Sequence, residues 1–351
     1  MTINLFEQMK GDGHEQVLFC SDPASGLQAM IAIHDTRLGP ALGGCRMWPY
    51  PSFEAALSDV LQLSKAMTYK AAISGLPLGG GKSVIWGDPK KEKTPERLTA
   101  FARHVATLRG RYLVAEDVGI GLDDIEQIRK ITPYVAGYSL EEGGSGDPSP
   151  ATAYGVFCGM RACLQEVSGE DSFEGKRVAI QGIGKVGYAL AALLHQEGVR
   201  LYVSDMDPER VAMASRDFGA DPLLGHEIYR VDCDIYAPCA LGGSINERTI
   251  PRLSCRIVAG AANNQLERPE VAAMLDAAHI LYAPDYVINA GGLINIAEEL
   301  TEYSKEKAYR KIAKIQPRLG NVFSLAKKAS ITSAEAANRL AVKRLEAGGN
   351  E

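Results

Sequence analysis

The stretch that most constrains this chain is Gly182-Ile183-Gly184-Lys185-Val186-Gly187, a G-x-G-x-x-G set between two apolar runs. With 36 glycines in 351 residues, the pattern alone is weak. Its surroundings give it weight. Arg177–Gln181 (RVAIQ) reads as a buried strand, and residues 188–195 (YALAALLH) have helical spacing. A second strand, Arg200–Ser204, ends at Asp205, 18 residues past Gly187. A dinucleotide-binding βαβ unit places an acidic residue about 20 residues on. In that reading Gly182 makes the tight turn, Gly184 lets the backbone approach a pyrophosphate, and Gly187 lets helix and strand pack closely. Ile183, Lys185 and Val186 complete the phosphate loop, whose N–H groups and helix dipole favour an anion. Asp205 then accepts from the adenine-ribose hydroxyls, and its charge repels a 2′-phosphate, which predicts NAD rather than NADP. The alternative is a purely structural glycine turn in an α/β sheet.

At about 150 residues per domain the length predicts two domains. Apolar residues make up 46% and charged residues 23%, a globular composition that excludes a disordered chain, a coiled coil or a collagen-like repeat. Lys plus Arg number 38 and Asp plus Glu 43, for a net charge of −5. That balance leaves no electrostatic footprint for nucleic acid or an anionic membrane. Seven scattered cysteines without a C-x-x-C predict neither a disulfide framework nor a metal site, and point to a reducing cytoplasm. The opening MTINLFEQMKGDGHEQ has no apolar h-region, so no secretory signal is expected. No apolar run reaches the about 18 residues of a membrane span.

Strand-like and helix-like patterns alternate along the first third. Residues 27–33 read as a buried strand, 38–46 as a Gly-rich stretch, and Leu57, Val60, Leu61 and Met67 as one helical face. Residues 83–86 and 112–115 read as short strands, and 95–108 and 123–130 as helices. A Gly/Ser/Pro break at 143–150 reads as a hinge. A helix over 151–166 follows it. Alternation to about residue 285 then implies a parallel sheet with crossover helices, and 334–346 reads as a last helix. The expected boundaries are 1–147 for an N-terminal α/β domain and 148–330 for a dinucleotide domain. The closing segment 331–351 is expected to pack back on the first domain.

Three features of the first domain carry possible chemistry. Met67-Thr68-Tyr69-Lys70 ends a helix, Leu78-Gly79-Gly80-Gly81-Lys82 ends a loop before a strand, and Ala115-Glu116-Asp117-Val118-Gly119 ends another strand. Gly81-Lys82-Ser83 imitates a P-loop, but Leu76 stands where that motif needs glycine, and a strand follows instead of a helix. The other reading is a lysine in a glycine-walled cleft. Such a lysine, desolvated or near a second cation such as Lys70, becomes a general base, with Asp117 exchanging its proton. The bland alternative makes Lys70 and Lys82 solvated charges and Asp117 a helix cap.

In this order the motifs resemble the amino-acid dehydrogenases of the glutamate/leucine/phenylalanine/valine dehydrogenase family, and its leucine-acting branch in particular. The resemblance runs from about Glu15 to Ala341. It rests on AIHDTRLGPALGGCRMWPY, AMTYKAAISGLPLGGGKSVIWGDP, AEDVG, GDPSPATAYGVF, CDIYAPCALGG, AGAANNQL and APDYVINAGGLIN. It implies an N-terminal substrate domain and a C-terminal Rossmann domain separated by a cleft, and NAD-dependent oxidative deamination of an L-amino acid to a 2-oxo acid and ammonium. Under it Lys82 activates water, Asp117 is its proton partner, and Lys70 binds the substrate carboxylate with help from Asn264. Thr152 contacts the nicotinamide amide, and Ala240 and Asn263 line the cofactor. Leu42, before Gly43-Gly44, stands where glutamate-specific relatives place a lysine. With Met67, Ala115, Leu293 and Ile296 it makes an apolar wall suited to leucine, valine or isoleucine.

Cys45 and Leu293 depart from the leucine branch, which usually carries Thr and Val there, and Gly-Gly-Leu-Ile-Asn is shared with a tryptophan-oxidising branch. Phenylalanine or tryptophan is therefore the alternative substrate class. A homo-oligomer is expected, its size left open by a short C-terminal tail. Two other readings compete. A 2-hydroxy-acid dehydrogenase needs a His base, yet the six histidines show no paired spacing; His195 reads as a helix-surface residue and His34 as a strand-end one. A non-catalytic dinucleotide-binding regulator needs no Lys70, Lys82 and Asp117 set. Cys239 reads as a small packing residue near the cofactor and Trp48 and Trp86 as core or interface aromatics. The charge of Asp205 leads to one measurable expectation: titration by intrinsic fluorescence finds NADH bound at least about tenfold more tightly than NADPH, a gap of about 1.4 kcal/mol. Equal affinities would remove the role given to Asp205.

Overall fold

A strand buried on both faces organises the first part of the chain. Leu27–Asp35 sends Ala29, Ile31 and Ile33 into one apolar cluster and Met30 and Ala32 into another, as the period-two alternation of side chains requires. In the computed structural model, which describes residues 5–348, the chain divides into two units. One comprises the chain up to Asp147 with Ile296–Tyr303 and the chain from Ala341; the other comprises Pro148–Asn295 and Ser304–Leu340.

The first unit opens with α1 (Leu5–Asp12) and continues through β1 (Gln16–Asp22), β2 (Leu27–Asp35), β3 (Ala41–Trp48), α2 (Phe53–Ile73) and β4 (Gly79–Trp86). It then runs through α3 (Pro95–Thr107), β5 (Tyr112–Ala115) and α4 (Leu122–Arg129). Its sheet has the order β1-β2-β4-β3-β5. The β1/β2 and β2/β4 pairs are antiparallel, and β4/β3 and β3/β5 are parallel. One face packs on α2 through Ala56, Leu57, Val60 and Leu61. The other packs on α3 and α4 through Leu98, Phe101, Val105, Ile125 and Ile128. Ser52 caps α2 by accepting from Ala55 N, and Thr94 caps α3 ahead of Pro95. Late in the chain, Ala341 and Leu345 pack with Leu38 and Ala72, and Arg344 donates to the Ala72 carbonyl at 2.7 Å.

Two expectations need correction. The Gly-rich stretches 38–46 and 78–82 read from sequence as non-strand, yet Ala41–Trp48 and Gly79–Trp86 are strands. Glycine normally weakens a strand; here it is required by close backbone approach. A Cβ on Gly43 would stand 1.7 Å from the Gly81 carbonyl oxygen, and one on Gly80 would stand 2.1 Å from Thr68 N. The edge strand β1, alternating poorly, had no sequence expectation at all.

The second unit carries α5 (Ser149–Ser168), β6 (Arg177–Gln181), α6 (Lys185–Gln196), β7 (Arg200–Ser204), α7 (Pro208–Phe218) and β8 (Asp221–Pro222). There follow β9 (Ile235–Pro238), β10 (Ile257–Val258), α8 (Val271–Ala277), β11 (Leu281–Tyr282), α9 (Asp285–Ile288) and α10 (Gly291–Ala297). The last helices are α11 (Lys305–Ala313), α12 (Ile315–Ala329) and α13 (Ser333–Glu346); α10 and α13 each run across the division of the chain. The sheet is parallel throughout, in the order β11-β10-β9-β6-β7-β8. That is the doubly wound order whose reversal between the first and fourth strands, here β6 and β9, opens a crevice at their carboxyl ends.

Crowding at Gly80 sets the stability expectation. Gly80→Ala, pressed against α2 backbone, is expected to melt about 5–10 °C below wild type by calorimetry, a loss near the upper end of the about 1–3 kcal/mol of overpacking. Gly320→Ala, exposed on α12 with nothing within 4 Å, is expected to melt at or slightly above wild type, since alanine favours helix by up to about 1 kcal/mol. A Gly80→Ala melt matching wild type would mean that β4 and α2 are not so closely pressed.

Candidate active site

Side-chain parity on the first sheet decides which residues meet. Val84 packs in the α2-side cluster and Gly80 lies against Thr68 of α2, so Lys82, between them on β4, points to the same side. Cys45 and Met47 face α3 and α4, which turns Arg46 of β3 toward α2. Leu42 shares the parity of Arg46, and Ala115 is opposite in parity to Val114, which belongs to the α3 and α4 cluster. Leu42, Arg46, Lys82 and Ala115 therefore share one face.

Lys82 is 6% exposed, and its ammonium lies 2.6 Å from Asp117 Oδ2. Asp117 follows β5 in a tight turn, its N–H donating to the Ile120 carbonyl and its own carbonyl accepting from Ile120 N. The approach is possible because Gly44 of β3 has no side chain: a Cβ there would stand 2.8 Å from Asp117 Cβ. Burial pushes the Asp117 carboxyl up, but the charges of Lys82 and Arg46 outweigh it and hold it below the usual carboxylate value of 3.8. Asp117 caps no helix, α4 starting from Gly121, and Lys82 is not a solvated charge.

Sequence reasoning missed a further part of this cluster. Arg46 Nε donates to Asp117 Oδ2 at 3.0 Å and its Nη1 to Asp59 Oδ2 at 3.0 Å. The Tyr50 hydroxyl donates to the same Asp59 oxygen at 2.5 Å. Burial and Asp59 push that hydroxyl far up, so it stays protonated. Reading 41–48 as a strand would have put Arg46 on the Leu42 face. Lys70 sits in the last turn of α2, half-buried, with Met67 three residues earlier on the same side. Leu42 pairs with Gly80 and Leu113, and Gly44 with Ala115.

In the second unit the strand-to-helix turn has the form an anion cradle needs. Gly182 adopts φ +98°, and a Cβ on Gly187 would stand 2.0 Å from the Gly182 carbonyl oxygen. Gly184 begins α6 without a side-chain cap, and the first turn of such a helix directs backbone N–H groups and the positive end of its dipole toward an anion placed before it. Space beside Gly184 is open, the nearest atom to a Cβ being Arg210 Nη1 at 3.8 Å. Asp205 is more committed than the sequence suggested: Oδ2 accepts from Ile183 N at 2.6 Å and Oδ1 from Asp207 N at 2.9 Å. A carboxylate offers about four lone-pair sites, so acceptor capacity remains. Ala240, after β9, lies against Gly182, and Cys239 lies 3.5 Å from a Cβ on Gly187. Burial pushes the Cys239 thiol up to about 12.

The loop bearing Asn263 and Asn264 is held by side-chain amides. Asn289 Nδ2 donates to Asn263 Oδ1 at 2.8 Å, and Gln265 Nε2 donates to the Gly260 and Ala262 carbonyls. Asn264 has a left-handed φ of +50°, and its carbonyl accepts from Gly243 N. Thr152 Oγ1 donates to the Pro148 carbonyl within the first turn of α5, beside Gly292 of α10. Leu293 and Ile296 are buried three residues apart on α10; Ile296 lies against Gly137. His195 is exposed, and His34 is buried, bonded to Thr68 and to the Asp12 carbonyl. Among the described residues no group of three or more His, Cys, Asp or Glu is placed to hold a metal ion, and no helix is long and apolar enough to cross a membrane.

Two family models match successive stretches of the chain. Residues 14–134 match the family model described as Glu/Leu/Phe/Val dehydrogenase, dimerisation domain, and residues 143–209 and 203–349 match that of Glutamate/Leucine/Phenylalanine/Valine dehydrogenase. Leucine dehydrogenase of Geobacillus stearothermophilus is 53% identical over 344 residues, covering 98% of this chain and 94% of that protein. The crystal structure of L-tryptophan dehydrogenase from Nostoc punctiforme superposes with a TM-score of 0.87 at 45% identity, over 98% of this chain and 99% of that one. The hetero-hexameric glutamate dehydrogenase of Thermus thermophilus shares the fold, with a TM-score of 0.79 at 23% identity over 95% of this chain and 89% of that one.

Two glycine variants separate packing from ligand approach in the cradle. Gly187→Ala is expected to lower the melting temperature without ligand, because its methyl meets the Gly182 carbonyl. Gly184→Ala is expected to melt as wild type alone, yet to lose most of the rise that NADH gives, about 2.7 kcal/mol at a hundredfold excess over Kd. A full NADH-induced rise in Gly184→Ala would rule this turn out as the phosphate site.

Proposed function

The chain belongs to the Glu/Leu/Phe/Val dehydrogenase family, and from that premise we propose that Lys82 and Asp117 are the reacting pair in NAD-dependent oxidative deamination of an aliphatic L-amino acid. The reaction converts amino acid, NAD and water to 2-oxo acid, ammonium, NADH and a proton. NAD, when bound, accepts the hydride from the substrate α-carbon. The chain's own residues do the rest. Lys70 pairs with the substrate carboxylate, beside the Gly43-Gly44 segment of β3, whose missing side chains let β4 and Asp117 come close. Lys82 takes a proton from the water that adds to the imine carbon. Asp117 exchanges that proton with it while the amine leaves as ammonium. The single observation that carries this reading is the 2.6 Å contact between a nearly inaccessible ammonium and a partly buried carboxylate. A buried ion pair is weak support for stability and a frequent mark of a functional site.

The cradle at Gly182, Ile183, Gly184, Lys185, Val186 and Gly187 would hold the pyrophosphate, with Asp205 at the ribose, and Thr152, Ala240 and Asn263 toward the nicotinamide. Leu42, Met67 and Ala115 favour an apolar substrate side chain: a carboxylate buried against Leu42 would cost several kcal/mol, on the order of the unpaired-ion penalty. Leucine leads the reading because the leucine dehydrogenase relative is 53% identical. A methylene distinguishes substrates by only about 1–3 kcal/mol, so valine, isoleucine and the aromatic amino acids belong in the same panel. The reading includes a homo-oligomer, in line with the dimerisation domain of the matched model, and a reducing cytoplasm, in line with seven free cysteines.

Lys82→Ala is expected to keep NADH affinity and to lose about 10²–10⁴-fold in kcat. NADH formation by wild type is expected with leucine and at least about 100-fold less in kcat/KM with glutamate, the counterpart of nearly 3 kcal/mol. Wild-type turnover in Lys82→Ala would remove the lysine from the chemistry. NADH binding without oxidation of any amino acid would leave a dinucleotide-binding regulator.

A further inference from the structure

Two cations converge on one oxygen of Asp117. Lys82 Nζ lies 2.6 Å from Oδ2, and Arg46 Nε donates to the same atom at 3.0 Å. Arg46 is itself held from behind. Its Nη1 donates to Asp59 Oδ2, which also accepts the Tyr50 hydroxyl at 2.5 Å. The series Tyr50, Asp59, Arg46, Asp117, Lys82 thus joins the turn after β3, α2, β3, the turn after β5, and β4. The other titratable groups near the pair are quiet. Burial pushes the Cys45 thiol up to about 12 and the Tyr112 hydroxyl well above its ordinary value, and Asp124 is paired with Lys93 at 2.6 Å.

The reaction asks Lys82 to change its charge, and that exposes a difficulty. If Lys82 were the sole counter-ion of Asp117, each departure of its proton would strand a carboxylate in a site with little water, and stranded buried charge is strongly unfavourable. The proton would then stay on the lysine. Arginine does not deprotonate in proteins, and its planar fork reaches both carboxylates at once. We propose that Arg46, clamped by Asp59 and Tyr50, is a positioning residue that gives Asp117 a permanent counter-ion while Lys82 exchanges its proton. This rests on the reading of Lys82 and Asp117 as the reacting pair. Burial pushes the Arg46 guanidinium down, but Asp117 and Asp59 more than restore its hold on the proton, so the charge persists through the cycle.

Arg46→Met, Arg46→Lys and Tyr50→Phe test the inference in the full-length protein. The first readout needs no turnover: the extent to which acetic anhydride labels Lys82, followed by peptide mass spectrometry from neutral to alkaline pH. Removing a cation beside the pair favours its protonated form. The labelling midpoint in Arg46→Met is therefore expected about one pH unit or more above wild type, a tenfold change in proton affinity. Arg46→Lys, which keeps the charge, is expected near the wild-type midpoint. Tyr50→Phe, which loosens the clamp, is expected between the two. The second readout is kcat/KM for leucine against pH: its acid limb moves in the same direction, and kcat falls by at least about tenfold in Arg46→Met with KM for NAD unchanged, the pattern of lost transition-state stabilisation. Midpoints that coincide across Arg46→Met and wild type overturn the inference; should Arg46→Met fail to fold, a Tyr50→Phe midpoint equal to wild type does the same. A shifted midpoint in a protein whose wild type oxidises no amino acid keeps the inference and discards the catalytic reading.

Discussion

Backbone crowding around β4 is the constraint from which the first unit follows. Strands β3 and β4 and helix α2 approach so closely that a single methyl on Gly43 or Gly80 would overlap main-chain atoms. Proteins accept the entropic penalty of glycine within strands where another backbone must come near. Here the gain is placement. A rigid strand carries Lys82 to within 2.6 Å of Asp117, on a face covered by α2, where few waters reach and electrostatic interactions are strong. A loop lysine in the same region would sweep many positions, and its pairing would be diluted by that freedom.

The electrostatic arrangement follows from the same placement. Two basic and two acidic side chains meet in one half-covered cluster, formally neutral when Lys82 is charged. Every member has an oppositely charged neighbour within hydrogen-bond range. An isolated ammonium or carboxylate in that position would be unfavourable by several kcal/mol even after relaxation. The cluster therefore tolerates burial because it is complete, and its completeness depends on four segments, α2, β3, β4 and the turn after β5, that only the folded sheet brings together.

The second unit solves a different problem with the same residue. At Gly182 and Gly187 the absence of a Cβ lets a strand, a turn and a helix close on one another, and space beside Gly184 at the start of α6 stays open. Nothing in the turn is charged except Lys185, and a helix N-terminus of this form would draw an anion through fixed backbone dipoles. The Asp205 carboxylate helps to hold that shape by accepting from Ile183 N.

Much of this was legible in the residues. The strand at 177–181, the glycine turn, the strand at 200–204 and the acid at its end are local patterns, and local patterns are what a sequence records. The parallel second sheet followed from the alternation of apolar runs with helical spacing. The glycine stretches at 38–46 and 78–82 misled because glycine is usually a breaker, and its role as a spacer appears only once the neighbouring backbone is in view. The resemblance carried the roles of Lys82 and Asp117, but no pattern pointed to Arg46. By itself the sequence determined the helices and most strands of the second unit and the position of its glycine turn, because hydrophobic period and glycine conformation act within a few residues. Only the tertiary structure decided that Arg46 lies between Asp59 and Asp117, residues 13 and 71 positions away along the chain. Distance in space there is set by strand order and backbone contact, which no local stretch of residues encodes.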